Sequence, residues 1–462
     1  MAPVAAVFGA AVAVRVWFVA GERPAFLGNA DSGTYAWAAG HDLFHSPVRP
    51  AGYPFFLRVA HEVTSHLTYT IVLQHALGLA TAALLYGLLR RVGVASWLAT
   101  LAAAVVLFDG LQIFLEHSLM SDTLFEFLLV AALYAAIRAG EAGSAAWLVA
   151  SGTLVGVSAT VRTLGIFLIP VLALWVLLDA GPARGRAVRA LQGGGTAVAV
   201  VVAYLLVQWS ATGVLGLTRA DGYNLYSRTA TFADCTRFHP PRGTRVLCET
   251  TPPARRPGGI FYEWEPTSPA NRAFGGMPHG AGRLASFGRA AILHQPGDYA
   301  EAVLRDLSRY VDPRAFYRLG AGGGPDVVVE YGHTPANEAQ AEPLVAAYWS
   351  TNGFTRPDVD ALVDYAKAAE VPGGVLLALV LLALAGPFVA RGRARRAAAL
   401  LAVTAIVMLV VPVATLIYDG RYTLPAYAPL AGASAIALQA LGGLARRKVA
   451  DTRKAPAPEG AT

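Results

Sequence analysis

The sequence predicts an all-α polytopic membrane protein with about ten transmembrane helices and a mixed helical and loop domain outside the bilayer. Of its 462 residues, 55% are hydrophobic and only 15% are charged, whereas soluble proteins average about 25% charged residues. Several apolar stretches also reach the length of about 17–25 residues that a helix needs to cross a bilayer. These two observations exclude an ordinary water-soluble enzyme.

Ten apolar stretches are the predicted membrane spans. The first is interpreted as a retained anchor, because no convincing small-residue cleavage site follows it. The fifth and sixth meet at Val161, Arg162 and Thr163, so a tight turn or a broken helix must separate them. The ten predicted spans are residues 4–20, 69–89, 94–114, 121–138, 145–161, 164–180, 194–211, 372–390, 397–417 and 422–443.

Basic residues in the short loops predict the orientation of the chain. Cytoplasmic loops carry an excess of Lys and Arg, and with ten spans five basic clusters all fall on one side. That side is then cytoplasmic and holds both termini, so the net charge of +7 needs no nucleic-acid partner. The five clusters are Arg90–Arg91, Arg138, Arg184 with Arg186 and Arg189, Arg391 to Arg396, and Arg446 to Lys448.

The same pattern predicts four parts of the chain and places the Asp31 loop, the Glu116 turn, Arg162 and the segment 212–371 on the extracytoplasmic face of the plasma membrane. Short helices are predicted within the outer segments, whereas residues 219–285, rich in Pro, Gly and Arg, are predicted as loops. The four parts are an N-terminal transmembrane module, 1–211, with an outer loop, 21–68; an extracytoplasmic domain, 212–371; C-terminal transmembrane helices, 372–445; and a cytoplasmic tail, 446–462. The predicted short helices begin at Asp31 or Ser32 and at residues 53, 296, 337 and 357.

Cys235 and Cys248 are the only cysteines, and both lie in the predicted outer domain. A disulfide between them is permitted in an oxidising compartment, and two free thiols are the alternative. Their spacing is not that of a zinc site. His41 and His45 are four residues apart, but no cysteine joins them, so no motif supports a metal.

Asp31 is the first candidate catalytic residue. It directly follows the first apolar segment, where a carboxylate is costly unless something uses it. It can cap the short helix that begins there, because its oxygens accept orphan N–H groups. Alternatively, it can act as a general base at the bilayer surface, where it would reach an acceptor hydroxyl.

Glu116 and Asp122 form a second acidic pair before the fourth span. A polar loop followed by a helix cap is one explanation of this pair. However, Glu116 and the adjacent His117 end an otherwise apolar run, which favours a functional role for one of the two acids.

Arg162 and Arg421 are predicted on the outer side, against the general positive-inside bias. Each therefore needs an anionic partner. One candidate is a carboxylate, since Asp419 lies two residues from Arg421. The other is a lipid phosphate, which the fork of guanidinium donors binds well. The residues alone do not decide between them.

Taken in order, these features resemble the GT-C glycosyltransferases that use polyprenyl-phosphate sugars, such as the protein O-mannosyltransferases and the aminoarabinose transferases. The likeness covers residues 1–210 and 372–445, whereas 212–371 resembles no known domain. The matching motifs are Asp31 with Tyr35, the stretch Pro50-Ala51-Gly52-Tyr53-Pro54, Glu116 or Asp122 before the fourth span, Arg162 after a small-residue helix, and Arg421-Tyr422 four residues before Pro425.

The resemblance implies an inverting transfer of a sugar from a polyprenyl-phosphate carrier to an extracytoplasmic glycan, lipid or protein acceptor. Asp31 would be the base, Glu116 or Asp122 would orient a substrate, and Arg421 with Arg162 would hold the phosphate. No cofactor is implied, and metal dependence stays open. Residues implied to line the substrate are Tyr35, Tyr53, His117 and Tyr422.

Two other functions fit the spans. One is a transporter or lipid flippase, but the acidic residues cluster at the outer surface, whereas transport sites lie near the midplane. The other is a non-catalytic protein of cell-envelope assembly whose outer domain binds a partner. An assay with a labelled polyprenyl-phosphate sugar separates the enzyme from both.

Overall fold

A computed structural model of the chain describes residues 2–27, 31–179, 182–312, 335–351 and 353–454. Within these ranges the regular elements are helices, and extended pairing is limited to three isolated bridges. The predicted all-α, membrane-type fold is therefore confirmed. The bridges join Arg23 to Thr355, Phe26 to Ser118, and His66 to Ser350.

The N-terminal half contains eleven α-helices. Left-handed glycines end two of the long ones, Gly143 after α7 and Gly213 after α11, where a residue without a Cβ adopts positive φ at no steric cost. The helices are α1 Ala2–Gly21, α2 Asp31–Gly40, α3 Gly52–Val63, α4 Leu67–Arg91, α5 Ser96–Phe108, α6 Gly110–Glu116, α7 Asp122–Ala142, α8 Ala145–Val161, α9 Leu168–Leu177, α10 Ala183–Ala190 and α11 Thr196–Thr212.

The remaining ten helices form the predicted outer domain and the C-terminal spans. They are α12 Asp221–Ala230, α13 Gly259–Trp264, α14 Pro269–Phe274, α15 Ala281–His294, α16 Pro296–Tyr310, α17 Pro335–Tyr348, α18 Val359–Ala368, α19 Gly373–Val389, α20 Gly392–Thr415 and α21 Leu424–Lys454.

Every predicted span corresponds to a helix or to a broken pair of helices in the described ranges. Six helices are long and apolar enough to cross a bilayer, and two bent pairs, α5 with α6 and α18 with α19, raise the number to eight. The fifth and sixth spans are two shorter apolar helices. Arg162 lies between them in an extended conformation, followed by a 3-10 turn, Thr163–Phe167. The chain is thus a multi-pass membrane protein with a broken helix at Arg162.

The prediction of loops for residues 219–285 is wrong, because α12, α13, α14 and the start of α15 lie there. These helices are short, and a few aromatic side chains such as Tyr226, Tyr262 and Phe287 make their shared core, so no long apolar period marks them in the sequence. Cys235 and Cys248 join the loop between α12 and α13 in a disulfide beside this core.

The outer loop is fastened to the turn before α7, and this contact positions the site. Phe26 donates its backbone N–H to the carbonyl of His117 at 3.1 Å, and Leu119 donates to the carbonyl of Phe26 at 3.3 Å. The Ser32 hydroxyl also donates to the carbonyl of Leu119 at 3.2 Å. The first turn of α2 is therefore held beside the N-terminus of α7.

Candidate active site

A cavity of about 100 Å³ lies where the first turn of α2, the break at Arg162 and the junction of α20 and α21 meet. One part of its wall is charged, and another is apolar. Its lining residues are Asp31, Tyr35, Val48, Arg49, Pro50, Ser121, Val161, Arg162, Thr163, Leu164, Phe167, Asn224, Val411, Pro412, Thr415, Leu416, Arg421 and Tyr422.

Asp31 is held between two arginines in this cavity. Its Oδ1 accepts hydrogen bonds from Nε and Nη2 of Arg49 at 3.0 and 2.7 Å. Its Oδ2 accepts from Nη1 of Arg421 at 3.0 Å. Asp31 and Arg421, 390 residues apart in sequence, thus share one site, as predicted.

Arg421 has two carboxylate partners. Besides Asp31, its Nε donates to Oδ2 of Asp419 at 2.7 Å, and its backbone N–H donates to Oδ1 of the same residue at 3.0 Å. Asp419 thereby caps the 3-10 turn that opens α21 and fixes the guanidinium above it. Of the two anionic partners that the sequence leaves open, the structure contains the carboxylate.

Arg162 is paired with Asp122, whose Oδ1 lies 2.6 Å from Nη1, although the two groups lack the alignment of a hydrogen bond. Tyr35 and Ser121 share a hydrogen bond of 3.0 Å between their hydroxyls. Tyr422 lies between Arg162 and Arg421, whose guanidinium carbons are 5.6 and 5.7 Å from its ring centre. The structure therefore brings these predicted residues together.

Tyr53 lies behind the cavity wall rather than on it. Its ring packs edge to face on that of Tyr35 at 4.7 Å between centroids, and its hydroxyl donates to Oε1 of Gln74 at 2.6 Å. Tyr53 is thus placed to support Tyr35, and of the residues predicted to line the substrate, Tyr35 and Tyr422 lie on the cavity wall.

Glu116 and His117 do not line this cavity, contrary to the expectation that they converge with Asp31. Both oxygens of Glu116 accept hydrogen bonds from Arg15 at 2.8 Å, and one also contacts Nδ1 of His75 at 2.9 Å. His75 in turn contacts His117 at 2.9 Å. An arginine inside an apolar span needs a buried anionic partner. Because Arg15 lies in the first span, its presence in the sequence could have indicated that Glu116 is such a partner.

Sequence reasoning missed Arg49. It lies between Pro47 and Pro50, one residue before the Pro-x-x-Tyr-Pro stretch, and that position is the sequence signal that could have found it. Because Arg49 makes two hydrogen bonds to Asp31, it is as central to the site as Arg421.

The charges around Asp31 decide its protonation. Burial raises the pKa of the Asp31 carboxyl, but the guanidinium groups of Arg49 and Arg421 outweigh burial and hold that pKa well below its usual range. Burial lowers the pKa of Arg49, and the charge of Asp31 reverses this and raises it. Asp31 is therefore a carboxylate throughout the physiological pH range.

A second cavity, of about 590 Å³, shares Asp31, Val48 and Arg49 with the first. Its far wall is the segment from Glu263 to Met277. Glu263 is only 4% exposed, and burial raises the pKa of its carboxyl to about 7. Among the described residues, no group of three His, Cys, Asp or Glu side chains is arranged to hold a metal ion.

Comparison with known proteins identifies a family over part of the chain. Residues 48–209, about a third of the chain, match the family described as dolichyl-phosphate-mannose-protein mannosyltransferase. No curated protein matches the sequence.

Solved structures share low identity with the chain. The archaeal oligosaccharyltransferase AglB from Archaeoglobus fulgidus, in complex with an inhibitory peptide and a dolichol-phosphate, is 14% identical with a TM-score of 0.45, and the match covers 99% of this chain and 52% of AglB. ArnT from Cupriavidus metallidurans bound to undecaprenyl phosphate is 15% identical with a TM-score of 0.37, covering 99% of this chain and 81% of ArnT.

The S. cerevisiae protein O-mannosyltransferase Pmt1–Pmt2 complex bound to the sugar donor is 17% identical with a TM-score of 0.36, covering 54% of this chain and 36% of that one. The chain thus spans about half the length of AglB. The family match falls on the segment that supplies Arg49, Asp122 and Arg162 to the site, and it confirms the predicted resemblance to the GT-C glycosyltransferases.

Proposed function

We propose that this protein is an integral-membrane, inverting glycosyltransferase that moves a sugar from a polyprenyl-phosphate carrier to an acceptor on the extracytoplasmic face of the plasma membrane. The observation that carries the proposal is the carboxylate of Asp31, held by Arg49 and Arg421 at the meeting point of two cavities. The family match over residues 48–209 supports the same class of donor.

The first cavity has the chemistry of a lipid-phosphate site. Three guanidinium groups, those of Arg49, Arg162 and Arg421, line it, and such groups bind phosphate through forked hydrogen bonds. Leu164 and Phe167 contribute to its apolar wall, which suits the first carbons of a polyprenyl chain. The proposed donor therefore enters here, with its phosphate at the arginines.

Phosphate binding would also activate Asp31. While Arg49 and Arg421 hold the carboxylate, its pKa is too low for an effective base, because proton transfer is most efficient when the base titrates near the working pH. A phosphate that takes over some of these hydrogen bonds returns basicity to Asp31. The donor would thus switch on its own general base.

The transfer then proceeds in one displacement. The acceptor hydroxyl oxygen attacks the anomeric carbon, its proton passes to Asp31, and the bond between that carbon and the phosphate oxygen breaks. Polyprenyl phosphate leaves with the electron pair, and arginines stabilise the charge that develops on it. A single displacement in which the acceptor attacks opposite to the leaving group inverts the configuration at the anomeric carbon.

Asp122 and Asp419 are proposed as positioning residues in this mechanism. Asp419 fixes the guanidinium of Arg421, and Asp122 fixes that of Arg162. Each holds an arginine at the phosphate end of the cavity, where a small displacement would weaken the contacts that form in the transition state. Asp122, rather than Glu116, is thus the second acid of the site.

Transfer of labelled sugar from a polyprenyl-phosphate donor, catalysed by the purified protein in nanodiscs with cell-envelope material as acceptor, tests the proposal. Asp31→Asn should lower the rate by about 10²–10⁴, the usual contribution of a general base. Asp42→Asn is the matched control, since Asp42 is an exposed acid of the same outer loop. Wild-type transfer by Asp31→Asn would reject the assignment and favour a transporter or an assembly protein.

A further inference from the structure

The second cavity contains two hydrogen-bond acceptors that are not satisfied. Oε2 of Glu263 and Oδ1 of Asn271 are both buried, and neither has a hydrogen-bond partner among the described residues. The orientation of the Asn271 amide is fixed, because its Nδ2 donates to the carbonyls of Glu263 and Glu265 at 3.4 and 2.8 Å. Buried acceptors without donors are costly, so an O–H or N–H group that reaches this wall would be stabilised there.

The charge and shape of the cavity narrow the chemical class of its ligand further. Arg49 and Asp31 both line the same cavity and form an ion pair, so their charges offset each other and the cavity favours an uncharged ligand. The indole of Trp264, 48% exposed, stands at the same wall and offers a flat apolar surface. A sugar ring presents hydroxyl donors at its edge and C–H groups on its face, and it therefore matches both parts of this wall.

We propose that the second cavity is the acceptor subsite and that it binds a neutral carbohydrate, with its ring stacked on Trp264 and its hydroxyls donating to Glu263 and Asn271. One hydroxyl of the bound sugar is then directed toward Asp31 on the shared edge of the two cavities. This inference rests on the proposed function, because it identifies the acceptor of that reaction as a glycan rather than a protein or a lipid.

The raised pKa of Glu263 is consistent with this subsite. Near neutral pH its carboxyl exists in both forms, so that it can accept a hydroxyl proton in one hydrogen-bond arrangement or donate in another. A binding site for an uncharged ligand gains from such an adaptable group.

Saturation-transfer NMR on the purified full-length protein in nanodiscs tests binding without any donor. The probes are short neutral hexose and pentose oligosaccharides and, separately, a Ser- and Thr-containing peptide. At least one oligosaccharide should show saturation transfer with the wild type. Trp264→Ala should weaken its binding about tenfold, Glu263→Ala should also weaken it, and Trp264→Phe should retain most of it.

Trp97→Ala is the matched control, since Trp97 is 67% exposed at the N-terminus of α5, away from both cavities. Because this measurement contains no sugar donor, a failure of binding is distinguished from a failure of transfer. Absence of saturation transfer to every oligosaccharide, equal binding by Trp264→Ala, or contact with the peptide alone would each overturn the carbohydrate assignment.

Discussion

Arg421 shows how much of the site is determined by single side chains. Together with Asp31 and Arg162, it could be predicted from the sequence, because a charge at the mouth of an apolar span has few explanations. Tyr35 and Tyr422 follow only from the resemblance to a known family. Arg49 could not, because nothing in the chain indicates that a residue between two prolines turns toward Asp31. Glu263 was also out of reach, because its burial depends on short helices that leave no period in the sequence.

We expect Arg421→Lys to impair transfer even though it keeps the positive charge. Lysine cannot make the forked contacts that Arg421 makes to Asp31 and Asp419, and a hydrogen bond to a charged group contributes about 1.5–3 kcal/mol. The Kd of a polyprenyl-phosphate sugar, measured by titration, should rise about 10- to 100-fold. Arg391→Lys, at an exposed position, should leave it unchanged. Unaltered donor affinity in Arg421→Lys would remove this residue from the phosphate site.

The raised pKa of Glu263 predicts that its contribution to the stability of the protein decreases as the pH rises. Its pKa is about 7 in the folded protein against an ordinary value of 4.5, so the folded state binds more protons between these values. The stabilisation that this proton binding gives to the folded state is fully present below pH about 4.5 and is lost as the pH rises through about 7. Apparent melting temperatures of the wild type should therefore fall over this interval relative to those of Glu263→Gln. Parallel pH profiles would show that the carboxyl is solvated.

At the scale of elements, the spans could be predicted because each is a continuous apolar stretch, and the break at Arg162 follows from a charge between two of them. The helices of 219–285 could not, because each has only one or two turns and depends on tertiary packing. The placement of Glu116 depends likewise on the packing of α1 against α4 and α5, which presents Arg15 to the end of α6.

The ion pair of Arg15 and Glu116 is expected to stabilise the bundle rather than to act in transfer. Arg15→Leu leaves Glu116 buried without its main partner and should destabilise the protein by about 3–5 kcal/mol. The double variant Arg15→Leu/Glu116→Leu should recover most of that loss in thermal unfolding and retain transfer activity. A folded double variant that transfers no sugar would return Glu116 to the catalytic set.

At the scale of the whole molecule, the loop charges predict that both cavities face the outside of the cell. Thr267 is an exposed residue beside the second cavity, and Arg391 is exposed at the opposite ends of the spans. In intact cells a membrane-impermeant maleimide should label Thr267→Cys at once and Arg391→Cys only after lysis. The native cysteines form a disulfide and do not compete. The reverse pattern would invert the orientation and the proposed compartment.

The ion pairs of the site influence which phosphates can bind there. These pairs join Asp31, Asp122 and Asp419 to Arg49, Arg162 and Arg421. Three carboxylates and three guanidinium groups cancel, so the cavity attracts dissolved anions only weakly. A phosphate that binds Arg49 and Arg421 competes with the carboxylate of Asp31 for their N–H donors. A soluble anion competes with the carboxylate only at its bulk concentration. A lipid headgroup held in the bilayer beside the cavity competes at a much higher effective concentration. The proposed donor site therefore selects for membrane-anchored phosphates and is only weakly inhibited by soluble ones.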